Sequence, residues 1–189
     1  MDYQNLMKII AGVDEVGRGS LVGPVVAAAV ILGRVRISEL KDSKKLSESK
    51  RSEIAQEIKK KAKSISIGVV SSKMIEKINI KRASILAMQK AAINLSCRPK
   101  KIIVDGVDAF ESEFPLISMI KADNFIPEVM AASIIAKSYR DLLMIRLSKK
   151  FSGYHWNKNF GYGTKQHLIG LKKRGITPLH RKNFGPVHK

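Results

Sequence analysis

Three short apolar runs in this chain each end at a carboxylate: KIIAGV leads into Asp14 and Glu15, KIIV into Asp105, and LISMIKA into Asp123. Short apolar runs of this kind read as buried strands, and a carboxylate buried beside them is costly unless it is paired or holds a cation. The recurrence predicts a sheet whose strand ends converge on one shared cation site. The rest of the chain is strongly basic. With 35 Lys and Arg against 16 Asp and Glu, the formal charge is +19, which points to a polyanionic partner. Acids at strand ends inside a basic chain read as a metal-dependent enzyme acting on nucleic acid.

At 189 residues and 44% hydrophobic, the chain is long enough for one well-filled core, so one compact domain over 1–189 is expected, with 176–189 as a mobile basic C-terminal extension. The longest apolar run, LVGPVVAAAVIL at 21–32, contains Gly23 and Pro24 and is well short of a membrane span. The first residues carry an acid and lack a basic stretch followed by a long apolar one, so cytoplasm is the expected location. Cys97, the sole cysteine, rules out an internal disulfide and a cysteine zinc site and reads as a helix-end packing residue.

MKIIAGVDE reads as a strand ending at the first two acids, and VVAAAVIL as a second strand whose small residues allow close packing from both faces. Ser47 is placed to cap an amphipathic helix over 46–63, with Ile54, Ile58 and Ala62 on one face. A strand over 64–71, a half-buried helix over 80–95, and strands over 101–105 and 116–122 follow. Pro127 suits the first turn of a helix running to about Lys149, and Thr164 caps another ending near Gly175. This order predicts a mixed α/β layer fold.

Hard divalent cations such as Mg²⁺ take oxygen ligands and keep several waters, so carboxylates from different strand ends suffice when substrate phosphates complete the shell. Two such ions about 4 Å apart are a recurring arrangement in nucleases and polymerases. Crowded acids also predict at least one raised carboxylate pKa in the metal-free site. Adjacent Asp14 and Glu15 pose a geometric problem, because consecutive strand side chains point to opposite faces. Either the strand breaks there, or Glu15 contributes differently. Asp42, Asp108 and Asp141 are competing acids, and Asp141, beside Arg140 within a helix, reads as an ion-paired structural residue.

Gly17, Arg18 and Gly19 follow the first acids directly, and such glycines let backbone amides approach a phosphate or sugar. Arg18 can then clamp the phosphate. A triphosphate-binding P-loop is excluded, because Arg-Gly-Ser stands where Lys and Ser or Thr are needed. Lys44 and Lys45 are candidate phosphate contacts. GYHWNKNFGYGTKQH at 153–167 interleaves aromatics, glycines and cations in a way suited to stacking on sugars or bases, and Tyr162 is its best single candidate. Trp156, Tyr154 and Phe160 read as packing residues. The four histidines lack metal-motif spacing, and His180, within LHRKNFGPV, is a candidate phosphate contact.

AGVDEVGRGSLVGPVVAAAVIL, DSKKLS, VDG at 104–106, AASIIAKSYRD at 131–141, GYGTKQH and HRKNFGPV together resemble the type 2 bacterial ribonucleases H, the ribonuclease HII family, over essentially the whole chain. The resemblance implies an RNase H-like fold with a mixed five-stranded sheet flanked by helices and a helical C-terminal region. It also implies an endonuclease that cuts the RNA strand of RNA–DNA hybrids, including 5′ to a single ribonucleotide in duplex DNA, with Mg²⁺ or Mn²⁺, leaving 5′-phosphate and 3′-hydroxyl ends. Asp14, Glu15, Asp105 and Asp123 would be the catalytic, metal-holding set. Gly17, Arg18 and Gly19 would read the 2′-hydroxyl at the RNA-to-DNA junction, and Tyr162 would stack on the sugar of its DNA side. Ser20 departs from the family's usual proline, KADN from its usual sequence around Asp123, and Phe160 from a frequent lysine before GYGT. A monomer is expected. The alternatives are a ribonuclease HIII-like enzyme without its N-terminal domain, or a non-catalytic nucleic-acid-binding protein whose acids hold a structural ion.

Overall fold

The computed structural model describes residues 9–37, 39–40 and 47–188. Five strands, β1 (Ile10–Val16), β2 (Val25–Ile31), β3 (Ser64–Val70), β4 (Lys101–Asp105) and β5 (Leu116–Met119), form one sheet in the order β3-β2-β1-β4-β5. The first three make an antiparallel meander, whereas β4 and β5 add parallel to β1 and to each other. The helices are α1 (Glu48–Lys61), α2 (Ser72–Ile78), α3 (Ile80–Ile93), α4 (Pro127–Lys150), α5 (Trp156–Asn159), α6 (Lys165–Arg174) and α7 (Gly185–His188). This is the mixed α/β arrangement that the hydrophobic pattern predicts.

Helices cover both faces of the sheet, which is why β2 is buried at every position. Ala27, Ala29 and Ile31 meet Ala87, Met88 and Ala91 of α3, while Ala28 and Val30 meet Ala131 and Ile135 of α4 and Ile54 and Ile58 of α1. A Cβ at Gly12 would overlap the backbone of Glu128 and Val129, so α4 lies directly against β1. That contact draws the start of α4 to the strand that carries Asp14. The predicted caps form: the Ser47 hydroxyl accepts from the Lys50 amide at 3.3 Å, and that of Thr164 from the His167 amide at 3.3 Å.

Two expected boundaries shift. β1 runs on through Val16 rather than ending at the acids. The expected strand over 116–122 stops at Met119, because Lys121 adopts the left-handed conformation (φ 59°) and opens a 3₁₀ turn over Ala122–Asn124. The short helices α2, α5 and α7 have no counterpart in the sequence pattern; two of them are only one turn long, below the reach of a periodic signal.

The residues after Gly175 do not form the expected mobile extension. Thr177, His180 and Arg181 are buried, and Val22 bridges to His180. They pack with a small second core in which Tyr154 and Trp156 stack with ring centroids 5.1 Å apart. A chain of bonds fixes the tautomers there. Trp156 Nε1–H donates to His167 Nε2 (3.0 Å), so the His167 proton sits on Nδ1 and is donated to the Tyr162 carbonyl (2.9 Å). The Thr177 amide donates to His180 Nδ1 (2.9 Å), leaving the His180 proton on Nε2, 3.2 Å from His167 Nε2. Both rings are therefore neutral, and His180 is a packing residue rather than a phosphate contact. Burial lowers both, and with His167 beside it His180 falls from 6.5 to about 4.

Because the folded value of His180 lies below the unfolded one, its contribution to stability is complete above pH 6.5 and is lost as the pH falls toward 4. Trp156, the sole tryptophan, reports on this pair directly. Its fluorescence is expected to change across that acid window before the far-UV circular dichroism of the sheet and helices is lost. A tryptophan signal that stays flat until global unfolding would refute the neutral network.

Candidate active site

Asp14, Asp105 and Asp123 meet, with one carboxylate oxygen from each lying within 4.8 Å of the others. The β1–β4 ladder pairs Val13 with Val104, so the next residue on each strand is an aspartate. Val13 and Val104 both face α3, the alternation of a strand turns Asp14 toward Ser133 of α4, and Asp105, the last residue of β4, stands beside it. Asp123 arrives from the 3₁₀ turn just before α4, which is anchored by buried Ala122 and by the Phe125 and Ile126 amides donating to the Ala122 carbonyl at 3.0 and 2.8 Å.

Glu15 resolves the geometric problem in the second of the two ways anticipated. The strand does not break, so Glu15 points to the α3 side and lies outside the three-aspartate group. It lines a cleft with Arg18, Lys81, Asp105, Gly106 and Asp108. Arg18 Nη1 reaches Glu15 Oε1 at 3.2 Å and Asp108 Oδ2 at 3.4 Å, and Lys81 Nζ lies 3.3 Å from Asp108 Oδ1. Asp108, one of the competing acids of the sequence, is thus ion-paired with Arg18 and Lys81 in the cleft, and Lys81 does not stand out as a site residue in the sequence.

Burial pushes the Asp14 carboxyl from 3.8 up to about 8, with Glu15 and Asp105 adding repulsion and the Ser133 hydroxyl opposing the shift by hydrogen bonding. Burial also raises Glu15, against the pull of Arg18. A raised carboxylate in the metal-free site is what crowded acids require. Crowded carboxylate oxygens in a largely buried site fit a hard divalent cation, which would relieve both desolvation and mutual repulsion.

The loop between β1 and β2 approaches the acids from one side. Gly17 has φ 95°, and a Cβ there would overlap the Arg140 guanidinium, whereas a Cβ on Gly19 meets nothing within 4 Å. Gly17 is thus needed by the fold, while Gly19 presents open backbone to the outside. Ser20 is buried and donates to the Val22 carbonyl at 3.0 Å. Tyr162 stands beside this loop: the Leu21 amide donates to the Gly161 carbonyl at 2.9 Å, and the Tyr162 ring lies over Arg140, 5.6 Å from its guanidinium carbon. Arg140 itself turns inward, donating to the carbonyls of Pro24, Phe160 and Val22 at 3.0, 2.9 and 3.1 Å. Asp141 pairs with Lys137 at 2.7 Å, so it is ion-paired as expected, with Lys137 as its bonded partner. Lys44 and Lys45 lie outside the described residues, as does Asp42.

The sequence model of the family described as Ribonuclease HII matches residues 11–187. The chain belongs to the ribonuclease HII family. A ribonuclease HII of Pelagibacter ubique is 51% identical over 183 residues, covering 96% of this chain and 98% of that protein. One of Ligilactobacillus salivarius is 46% identical, covering 100% of this chain and 78% of that protein. Among solved structures, the ribonuclease H2 of Pyrococcus horikoshii OT3 matches with a TM-score of 0.81 at 26% identity, over 95% of each chain. The ribonuclease HII of Archaeoglobus fulgidus, solved as a complex with PCNA, also matches at 0.81, with 29% identity over 94% of this chain and 95% of that one. A Bst-RNase HIII in complex with Mn²⁺ matches at 0.72 with 20% identity, a likeness of fold. As a ribonuclease HII, the protein is a divalent-metal-dependent ribonuclease H that hydrolyses the RNA strand of RNA–DNA hybrids. Family membership sets aside the type 3 and non-catalytic alternatives.

Proposed function

We propose that this ribonuclease HII also cuts 5′ to single ribonucleotides embedded in duplex DNA, acting as a monomeric cytoplasmic enzyme with one catalytic domain over 1–189. The convergence of Asp14, Asp105 and Asp123 beside the 17–19 loop and Tyr162 carries the proposal. Asp14, Asp105 and Asp123 would hold Mg²⁺ or Mn²⁺, with Glu15 joining from the α3 side. Two such ions, when bound, would lower the pKa of the attacking water and offset charge on the leaving oxygen. The water oxygen bonds to phosphorus, the P–O3′ bond breaks, and the proton ends on O3′, leaving a 5′-phosphate and a 3′-hydroxyl. Arg18 would meet a phosphate and the open backbone at Gly19 the 2′-hydroxyl, a reading supported by the free space around Gly19. Tyr162 supplies a flat face for the sugar on the DNA side, and the 2′-hydroxyl is what tells RNA from DNA at such a site. Lys44 and Lys45 add phosphate contacts.

The direct test is incubation with a DNA duplex containing one ribonucleotide, with Mg²⁺, with Mn²⁺ and with EDTA. A single metal-dependent cut 5′ to the ribonucleotide is expected; cleavage of long hybrids alone would reject the proposal. The two glycines separate structure from recognition. Gly17→Ala is expected to lower Tm by several degrees, since it combines an unfavourable φ with overlap on Arg140. Gly19→Ala is expected to leave Tm unchanged and raise the KM for hybrid about tenfold, roughly 1.4 kcal/mol. An unchanged KM for Gly19→Ala, read by steady-state kinetics, would remove Gly19 from the substrate contact.

A further inference from the structure

Two arginines are wholly buried beneath the β1–β2 loop, and both bond backbone carbonyls rather than carboxylates. Arg140 takes Val22 and Pro24 of the loop together with Phe160. Arg181 donates through Nε to the Gly23 carbonyl at 3.0 Å and through Nη1 to the Arg18 carbonyl at 2.9 Å. Burial, with the Arg140 charge adding to it, takes Arg181 down to about 9. Two guanidiniums in one interior are costly, since a buried charge without a carboxylate partner carries a large desolvation penalty. Their presence calls for another reason.

The peptide geometry supplies one. No peptide bond among the described residues is cis, and in a trans peptide the C=O and the following N–H point in opposite directions. A carbonyl of Arg18 turned inward to Arg181 therefore aims the Gly19 N–H outward, at a loop position where an added Cβ would meet only open space. The same C-terminal segment pins the loop twice more: the Gly23 amide donates to the Leu179 carbonyl and the Arg181 amide to the Leu21 carbonyl, both at 2.9 Å. We propose that Arg181 is a positioning residue for 2′-hydroxyl recognition: it locks the Arg18–Gly19 peptide plane so that the Gly19 amide faces the ribonucleotide. This rests on the assignment of the 17–19 loop to substrate.

The test is a binding comparison with Ca²⁺ present, using a DNA duplex with one ribonucleotide and the same duplex in all-DNA form, for the full chain and for Arg181→Met and Arg181→Lys. Wild type is expected to bind the ribonucleotide duplex more tightly. Arg181→Met is expected to lower Tm, because the Gly23 and Arg18 carbonyls lose their donor, and to keep its all-DNA affinity within about twofold while losing at least about fivefold of that discrimination; Arg181→Lys, which retains a charged donor, is expected to recover part of it. Full discrimination in Arg181→Met would overturn the role of Arg181 alone. Equal loss on both duplexes, unrepaired in Arg181→Lys, would show a merely structural residue. A wild type that does not discriminate would bring down the loop assignment itself, and this proposal with it.

Discussion

Asp14→Asn is expected to abolish cleavage, by about a thousandfold or more in kcat, equivalent to roughly 4 kcal/mol of barrier, while binding of the hybrid is retained. The reason is the position of Asp14 in the acid cluster, with Asp105 on the neighbouring strand and Asp123 before α4. The amide keeps the shape and loses the charge that a divalent ion requires. The same substitution has an opposite effect on stability. The Asp14 carboxyl rises from 3.8 to about 8, so between those values the folded metal-free protein holds a proton that the unfolded chain releases. Stability of the metal-free protein therefore falls as the pH rises through this window. An asparagine side chain imitates the protonated carboxyl and removes the dependence. Thermal melts in EDTA at alkaline pH are expected to show the variant above wild type, at about 2–4 °C for each kcal/mol in a chain of this size. Added divalent ion should raise the wild-type Tm and not that of the variant, since ligands that bind only the folded state stabilise it. Wild-type turnover in Asp14→Asn, or identical melts with and without the ion in both proteins, would end the assignment.

Tyr162→Ala is expected to reduce kcat/KM at a single ribonucleotide by at least about tenfold while long hybrids lose no more than about threefold, because stacking on one sugar or base is worth about 1–3 kcal/mol. Long hybrids offer contacts on both sides of the cut that dilute the loss of one. Since the ring also lies over Arg140, Tyr162→Phe serves as the control: it keeps the face and should keep the preference. Equal losses on both substrates in the alanine variant would count against stacking at the junction.

The acids of this site were legible because each follows an apolar run, Asp14 and Asp105 on strands β1 and β4 and Asp123 in the turn beyond β5, and the recurrence of the pattern is what points to a shared site. Pairing of Val13 with Val104 then brings two of them side by side. The role of Glu15 was not legible: whether it joins the others depends on β1 continuing through Val16, which is settled by the ladder with β2 rather than by local composition. The turn at Lys121 was hidden for a similar reason, since a lysine carries no signal for a left-handed backbone. Arg140 and Arg181 were the most thoroughly hidden. Their loop partners lie 116 to 118 and 158 to 163 residues away among the carbonyls that follow β1. In sequence, one looks like the polar face of a helix and the other like part of a basic tail. An inward cation whose acceptors are backbone atoms leaves no complementary residue for sequence reading to find.

The hydrogen bonds that join Leu179 and Arg181 to the loop after β1 also bear on synthesis. The ribosome makes the loop after β1 well before the residues that brace it, which lie 158 to 163 positions further along the chain. A growing polypeptide therefore carries its acids long before it can grip a duplex in the right pose. Under the proposed role of Arg181, the loop stays unbraced until Leu179 and Arg181 have emerged, so the acids are in place before the peptide plane that meets the ribonucleotide is fixed.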